Sequence, residues 1–366
     1  MDDILASLYM LPPPASTPWA GTPGQTIQSK IRRVSQDPLM LNLPLFWYDP
    51  CWCELPTGQA DKLAMAVSRH DILVSALQSD LSGPETEPQF HLPHQADEDS
   101  DDEQSDDDDD PSPPKYFPRI VPYRPERYGV SPTDFDNATI IDVRLMMPRD
   151  TSGRFAYSPE QIARWESKPA NEPISDSWVP AATFPPDVES FEHLSSKLNQ
   201  LRQLAPSAAV FTSIGPFRLA EEIPKVVGAA PDGLIVRFDQ VALEPLQLAA
   251  LTRRARQLMN AASGNKIPMW IVPGPITPDD AVKLVALGAN AIGIDFWCNP
   301  LLASASVDSG HYHQNIDIDA LAEEALEERI ERFSGLYLSL QRVPSKERLG
   351  SFSATWARTL SVKALR

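Results

Sequence analysis

The second half of the chain alternates between short apolar runs and longer amphipathic stretches. The runs at 210–214, 234–238 and 269–272 are almost continuously apolar, which is typical of strands with both faces buried. Helices between them supply the crossovers that parallel strands need, so the pattern predicts an α/β protein with a parallel sheet. The predicted strands are 41–48, 140–145, 210–214, 234–238, 269–272 and 291–295, and the predicted helices are 59–77, 188–204, 218–227, 246–262, 277–287 and 318–337.

One of these helices carries clear signals at both ends. Thr277 followed by Pro278 predicts a capped start, because a threonine hydroxyl accepts a free backbone N–H and proline suits the first helical position. Gly288 predicts the end, because glycine readily adopts the left-handed conformation that closes many helices.

Charge is distributed unevenly along the chain. The 366 residues include 50 acidic and 32 basic ones, for a net charge of −18. The run 97–110 holds eleven of the acids and no base, and the remainder of the chain carries −7. This balance argues against a nucleic-acid-binding protein, which needs a basic stripe for the phosphate backbone.

Composition sets three segments apart from the rest. Residues 1–36 are proline-rich without periodic apolar positions, which predicts an extended arm. Residues 83–114 are of low complexity around the acidic run, and like charges at this density cannot bury a core, so we expect a disordered insertion. The run 97–110 is also a candidate docking site for a basic protein partner. Residues 341–366 form a C-terminal extension.

The sequence gives no sign of secretion, membrane insertion or metal binding. Three cysteines are too few for a disulfide framework and indicate a reducing compartment. No apolar run approaches the roughly 20 residues of a membrane span, and the first residues lack a signal-peptide pattern. We therefore expect a cytoplasmic protein without membrane contact. Neither Cys51 with Cys53 nor His311 with His313 has the spacing of a metal site, so none is expected.

Several motifs, in collinear order, resemble the FMN-dependent catalytic domain of the glutamate synthases. The segment 126–132, Glu-Arg-Tyr-Gly-Val-Ser-Pro, precedes the strand 140–145 as a similar motif does in that family. Segments 187–194 and 281–293 resemble two further family motifs. The resemblance covers about residues 37–340 and implies a TIM-type (β/α)8 barrel interrupted by the insertion 83–114. The two strands still needed are expected at 71–76 and 117–123.

The resemblance implies a site in the loops after the strands, and there the sequence departs from the family. Thr212 stands where the family has a lysine beside the flavin. Arg149 and Asp150 fall in a loop that is glycine- and lysine-containing in the family. Of the cysteines that hold an iron–sulfur cluster in glutamate synthases only Cys298 is present, so we expect no cluster.

The family's phosphate-binding positions are also altered. A flavin phosphate is held by backbone N–H groups, which glycine-rich loops and helix N-termini provide. Here Gly274 lies between Pro273 and Pro275, which have no N–H. After Gly293, Asp295 brings a negative charge and Trp297 brings bulk. The resemblance thus implies a degenerate site at Thr212, Gly274, Gly293 and Asp295, and we expect no FMN.

Charged residues near the strand ends leave three functions open. Arg237 and Asp239 are catalytic candidates, and Arg144, Arg149, Asp150 and Trp297 are pocket candidates, because barrel sites lie at the C-terminal ends of strands. The first interpretation is a catalytically silent barrel that acts as a scaffold or regulatory protein. The second is an FMN-dependent oxidoreductase, of glutamate-synthase type and so in glutamate biosynthesis, with a remodelled site. The third is a binder of a small ligand at the barrel mouth.

Deleting residues 97–110 tests the interpretation of the acidic run. Because so many like charges cannot pack, we expect the free energy of unfolding to change by less than about 0.5 kcal/mol. Denaturant titration of the deletion variant beside the full chain measures this change. A deletion variant that fails to fold would show that the run belongs to the folded structure.

Overall fold

A computed structural model describes most of the chain outside the acidic insertion. The described residues are 3–13, 27, 29–33, 36–55, 58–82, 117–123, 132–145, 156–157, 159, 179–180, 188, 190–306 and 317–366. The insertion 83–114, with its run 97–110, lies outside them, as do Arg149, Asp150 and the motif 126–131. None of the helices in the described part is long and apolar enough to cross a membrane.

Eight parallel strands close into a barrel. In spatial order each pairs with the next, and the last pairs with the first. Ile292 and Ile294 donate to the carbonyls of Pro44 and Phe46 and so complete the ring. The barrel strands are β4 (Leu45–Trp47), β5 (Leu73–Ser75), β6 (Arg119–Tyr123), β7 (Ala138–Arg144), β10 (Ala209–Ile214), β11 (Gly233–Arg237), β12 (Met269–Val272) and β13 (Ala291–Gly293). The (β/α)8 prediction is confirmed.

Helices follow the strands and pack around the barrel. They are α1 (Gln59–Ser68), α2 (Gln78–Ser82), α3 (Pro132–Phe135), α4 (Leu194–Leu204), α5 (Leu219–Gly228), α6 (Pro245–Ala261), α7 (Pro278–Ala286), α8 (Asp295–Ser306), α9 (Ile318–Gln341) and α10 (Ala354–Leu360). The predicted signals of α7 are confirmed. The hydroxyl of Thr277 accepts from the N–H of Asp280, Pro278 is the first helical residue, and Gly288 has a φ of +126°.

Four predicted elements need correction. The strand predicted over 41–48 is reduced to Leu45–Trp47, because Leu41 ends a separate strand and residues 42–44 bend the chain, and the helix predicted from 188 begins only at Leu194. The helix predicted to reach Leu77 ends at Ser68, because Asp71 turns the chain with a φ of +60° and sends the next residues into the barrel as β5. The expected strand at 71–76 is thereby confirmed. The strand predicted over 291–295 stops at Gly293, and Asp295 already begins α8.

The interior of the barrel is filled by side chains from alternate strand positions. They form an apolar cluster separate from the layer between strands and helices: Phe46, Tyr48, Leu73, Ile120, Ile140, Ala209, Phe211, Ile235, Trp270, Val272 and Ala291. Packing is close at Gly233, where an added Cβ would lie 2.2 Å from the ring of Phe211. Glycine is therefore required beside this ring.

A hairpin closes the N-terminal end of the barrel. It consists of β2 (Ser29–Arg33) and β3 (Gln36–Leu41), which pair antiparallel. Ile31 and Leu41 join the interior cluster. Arg33 donates to the carbonyl of Ser207, just before β10, so the hairpin lies across the start of the strands.

The described residues of the predicted arm also pack on the barrel. Leu5 and Leu8 are buried in the layer between strands and helices. The N–H groups of Ile4 and Leu5 donate to the carboxylate of Asp280 over 3.1 and 2.8 Å. Lys283 also donates to Asp3 and to the carbonyl of Leu5. The N-terminal segment is thus bound to the first turns of α7.

Both ends of the chain meet in a small sheet beside the barrel. In it β1 (Tyr9–Met10) pairs antiparallel with β14 (Leu349–Ser351), which also pairs with β15 (Lys363–Ala364). A further pair joins β8 (Ala156–Tyr157) to β9 (Val179–Pro180).

Replacing Leu5 by alanine tests the contribution of the N-terminal segment. The side chain is fully buried, so we expect the free energy of unfolding to fall by about 2–5 kcal/mol. Leu204→Ala is the matched control because Leu204 is 54% exposed, and its effect should stay within about 0.5 kcal/mol. Equal effects of the two variants, measured by urea unfolding, would contradict the packing described.

Candidate functional site

Charged side chains converge at the C-terminal ends of the barrel strands. Arg144 ends β7 and Arg237 ends β11, while Asp49 and Asp239 stand just beyond β4 and β11. The alternation along each strand turns Arg144 and Arg237 inward, because Ile140 and Ile235 on the same faces belong to the interior cluster. We call this group, with Tyr48, Asp142 and Ser213, the mouth cluster.

Asp49 joins the two arginines. Its Oδ1 accepts from Nη1 of Arg144 at 2.9 Å, and its Oδ2 accepts from Nη1 of Arg237 at 3.1 Å. The Asp49 side chain is 36% exposed, whereas the Arg144 side chain is 5% exposed. One loop carboxylate therefore sits between two guanidinium groups at the surface of the mouth.

The remaining nitrogens of Arg144 are bound from the barrel wall. Its Nε donates to Asp142 at 3.2 Å, and its Nη2 donates to the carbonyl of Tyr48 at 2.8 Å and to Ser75 at 3.2 Å. Burial by itself lowers the pKa of Arg144, but the neighbouring groups, among them Asp49 and Asp142, outweigh it and raise the pKa. The guanidinium is therefore charged at physiological pH.

Arg237 is held in a similar way. It pairs with Asp239 through two parallel hydrogen bonds, one of them from Nε at 2.9 Å. This fork-to-fork geometry is the strongest form of arginine–carboxylate pair. Burial lowers the pKa of Arg237, and the hydrogen bond to Asp239 more than offsets it, so the net pKa is raised.

Tyr48 lies beneath both arginines. The guanidinium carbons of Arg144 and Arg237 stand 4.2 and 4.8 Å from its ring centroid, within cation–π range. Its hydroxyl is 2.8 Å from both Oδ2 of Asp142 and Oγ of Ser213. Burial raises the pKa of the phenol well above its usual range, so Tyr48 stays protonated.

Asp295 acts on this cluster through the backbone. Its carboxylate accepts from the N–H of Asp49 at 2.8 Å and from the N–H of Tyr48 at 3.4 Å. It thereby fixes the loop that carries Asp49. Burial raises the pKa of Asp295 to about 6, although the hydrogen bond from Asp49 opposes the shift.

The other residues singled out from the sequence do not join the mouth cluster. Thr212 lies between Phe211 and Ser213, which face the interior, so its side chain points to the helices. Trp297, in α8, is buried and donates from Nε1 to the carbonyl of Ile276 at 2.8 Å.

Gly274 and Gly293 stay close to the mouth without contributing side chains. An added Cβ on Gly274 would lie 3.8 Å from Cα of Asp239, and one on Gly293 would lie 3.1 Å from Val272. Among the described residues, no group of three histidine, cysteine or acidic side chains is arranged to hold a metal ion.

The residues at the family's phosphate position do not fit FMN. The loop 273–275 offers the single N–H of Gly274, beside the carboxylate-bearing Asp239. In the first turn of α8, Asp295 places a buried carboxylate and the N–H of Trp297 already donates to the carbonyl of Ile294. A phosphate dianion would face negative charge with few free donors, which is unfavourable in a partly buried site.

Sequence reasoning missed the residues at the centre of the cluster. In the sequence, Asp49 is marked only as the residue that, with Pro50, ends a predicted strand. Asp142 and Ser213 are polar residues at inward positions of apolar strands, and that period-two placement was the available signal. Arg144, Arg237 and Asp239, named from the sequence, are brought together as expected for strand ends.

Comparison with known proteins gives structural neighbours only. No protein-family model matches the sequence, and the search of curated proteins gives no match. One solved structure is a mandelate oxidase variant with a C4a-hydroxy FMN adduct, with 14% identity, a TM-score of 0.44, and coverage of 91% of this chain and 84% of that chain. Another is a mandelate oxidase with (S)-2-phenylpropionate, with 13% identity, a TM-score of 0.45, and 91% and 83% coverage.

A third neighbour is a flavocytochrome b2 variant with pyruvate bound. It has 11% identity, a TM-score of 0.49, and coverage of 99% of this chain and 79% of that chain. None of these three neighbours is a glutamate synthase. The barrel assignment here rests on the strand pairing itself, and the specific resemblance to glutamate synthases stays a hypothesis.

Replacing Asp295 by asparagine tests the burial of the Asp295 carboxylate. Burial raises the pKa of Asp295 in the folded state above its value in the unfolded chain. The protonated carboxyl therefore contributes its full stabilisation below about pH 4, and this contribution is lost as the pH rises through about 6. Between pH 4 and pH 8 the wild type should therefore lose on the order of 2–3 kcal/mol relative to the variant.

Urea unfolding at pH steps across this range measures the difference. Glu323→Gln on the exposed side of α9 is the control for removal of one surface carboxylate. A wild-type-minus-variant difference that is the same at pH 4 and pH 8 would contradict the burial of Asp295.

Proposed function

We propose that this chain is a non-catalytic barrel that serves as a scaffold or regulatory protein and works without a flavin. One observation carries the proposal: every guanidinium nitrogen of Arg144 and Arg237 donates to an acceptor of the protein itself, and these bonds use seven of the ten N–H groups. An active-site arginine that binds substrate needs free donors directed at the ligand. Here Asp49 occupies the place between the two arginines.

The physical cost of the alternative supports the same proposal. A ligand carboxylate between Arg144 and Arg237 requires Asp49 to leave, and Asp295 fixes the backbone of Asp49. The ligand must then replace both hydrogen bonds from Asp49 to the arginines before it gains any net affinity. A small-ligand binder at the mouth therefore requires a ligand that contacts the cluster from outside.

A second candidate is an FMN-dependent oxidoreductase with a remodelled site. The burial of several charges at one place favours it, because buried ion pairs stabilise a fold only weakly. Active sites of barrel enzymes also lie at this end, where the strands have their C-termini. In that case Arg237 and Asp239 are its catalytic candidates, and the flavin binds without the family's phosphate contacts.

The acidic run 97–110 supplies the proposed contact of the scaffold. Eleven carboxylates within fourteen residues favour a partner with a basic surface. This part of the proposal rests on the sequence, because the run lies outside the described residues.

The visible absorbance of the purified full-length chain separates the two candidates. We expect no flavin band, and no rise of Tm when FMN is added, because a ligand that binds the native state must stabilise it. A mandelate oxidase purified in parallel from the same riboflavin-supplemented host is the positive control. Stoichiometric FMN released on denaturation would overturn the proposal and make the oxidoreductase the leading candidate.

A further inference from the structure

A polar cavity lies at the other end of the barrel from the mouth cluster. It has a volume of about 610 Å³ and lies where β12 and β13 begin, beside the C-terminal ends of α6, α7 and α9. This volume is within the range of cavities that bind small molecules. We call it the basal cavity.

The described lining of the basal cavity is positively charged. Lys30, Arg256, Lys266 and Arg348 contribute four cations, and none of the described lining residues is an aspartate or glutamate. The protein as a whole carries −18. The C-terminal ends of three helices favour cations at this place, but four like charges in one cavity also repel one another.

Arg256 is a fixed cation without an anionic partner. Its Nε donates to the carbonyl of Gly288 at 2.9 Å and its Nη1 to the carbonyl of Ile267 at 3.2 Å. Its Nη2 donates to the side-chain oxygen of Asn290. These acceptors are neutral, and burial lowers the pKa of Arg256 to about 10. Within the part of the chain described, no carboxylate neutralises this charge.

Helix ends account for only part of this arrangement. Arg348 donates from Nε to the carbonyl of Val343, a contact typical of residues that follow a helix. Both its Nη atoms lack a protein acceptor in the described structure, and Lys30 and Lys266 are exposed without ion pairs there. Three cationic groups therefore remain available to a ligand.

One wall of the cavity is apolar. Ile267 and Leu340 line it, and the ring of Tyr337 stands beside them and contacts Phe333. An aromatic ring and aliphatic side chains suit the organic part of a ligand, while the cations suit its charged end.

We propose that the basal cavity binds a small organic phosphate monoester. Lys30, Lys266 and Arg348 contact the phosphate, Arg256 supplies a fixed charge, and Tyr337 packs against the organic group. A dianion matches the excess of positive charge better than a single carboxylate does, and arginine and lysine are the usual phosphate ligands in proteins.

Calorimetric titration of the full-length chain with phenyl phosphate tests the proposal. We expect saturable binding that weakens with salt, and no binding of phenol, which lacks the charge. Lys266→Gln and Lys30→Gln should each weaken the affinity about tenfold, as expected for one charge-assisted contact. Lys62→Gln on α1 removes the same charge far from the cavity, and its effect should stay below about twofold.

Inorganic phosphate and Tyr337→Ala test the organic part of the proposed ligand. Tyr337→Ala should weaken phenyl phosphate about fivefold and leave inorganic phosphate unchanged, because only the ester packs on the ring. Absence of saturable binding would overturn the proposal. So would equal losses from Lys62→Gln and Lys266→Gln, or equal affinities of the wild type for phenyl phosphate and inorganic phosphate.

Discussion

The carboxylate of Asp49 between Arg144 and Arg237 is the interaction on which the mouth of this barrel depends. Two guanidinium groups above one tyrosine ring repel each other, and they stay together because Asp49 bonds to both. Asp142 and Asp239 then complete the hydrogen bonds of each arginine. Removing Asp49 would leave two neighbouring buried cations sharing one ring.

Asp295 extends this constraint to the closure of the barrel. It stands where α8 begins, after the last strand β13, and binds the backbone just after the first barrel strand β4. The loop that presents Asp49 is therefore fixed by the same junction that closes the ring. The ion pairs of Asp49 at the mouth therefore depend on the closure of the barrel.

The barrel strands could be predicted from sequence because each is a short apolar run with both faces buried. Val210, Leu234 and Ile271 belong to such runs, and their pattern does not depend on distant residues. The turn at Asp71 could not be predicted, because it depends on a left-handed backbone conformation at a non-glycine residue. The packing of Leu5 and Leu8 could not either, since it needs a carboxylate of α7 that is 275 residues away from Leu5.

The candidate site was predictable in part for a related reason. Arg144, Arg237 and Asp239 are charged residues at strand ends, and parallel strands bring those ends together. Which partners each arginine has depends on the stagger of the closed ring, which no local pattern contains. That stagger places Asp49 between the two arginines and turns Thr212 towards the helices.

The contact between Gly233 and Phe211 limits how this barrel can change. Their shared space is already full, since any side chain at 233 would overlap the ring at 211. A larger residue at one position is compatible with the fold only with a smaller one at the other, so the two positions form a single unit of volume. A side chain can therefore be added at 233 only together with a smaller residue at 211, while loop positions outside the mouth cluster remain free to vary one residue at a time.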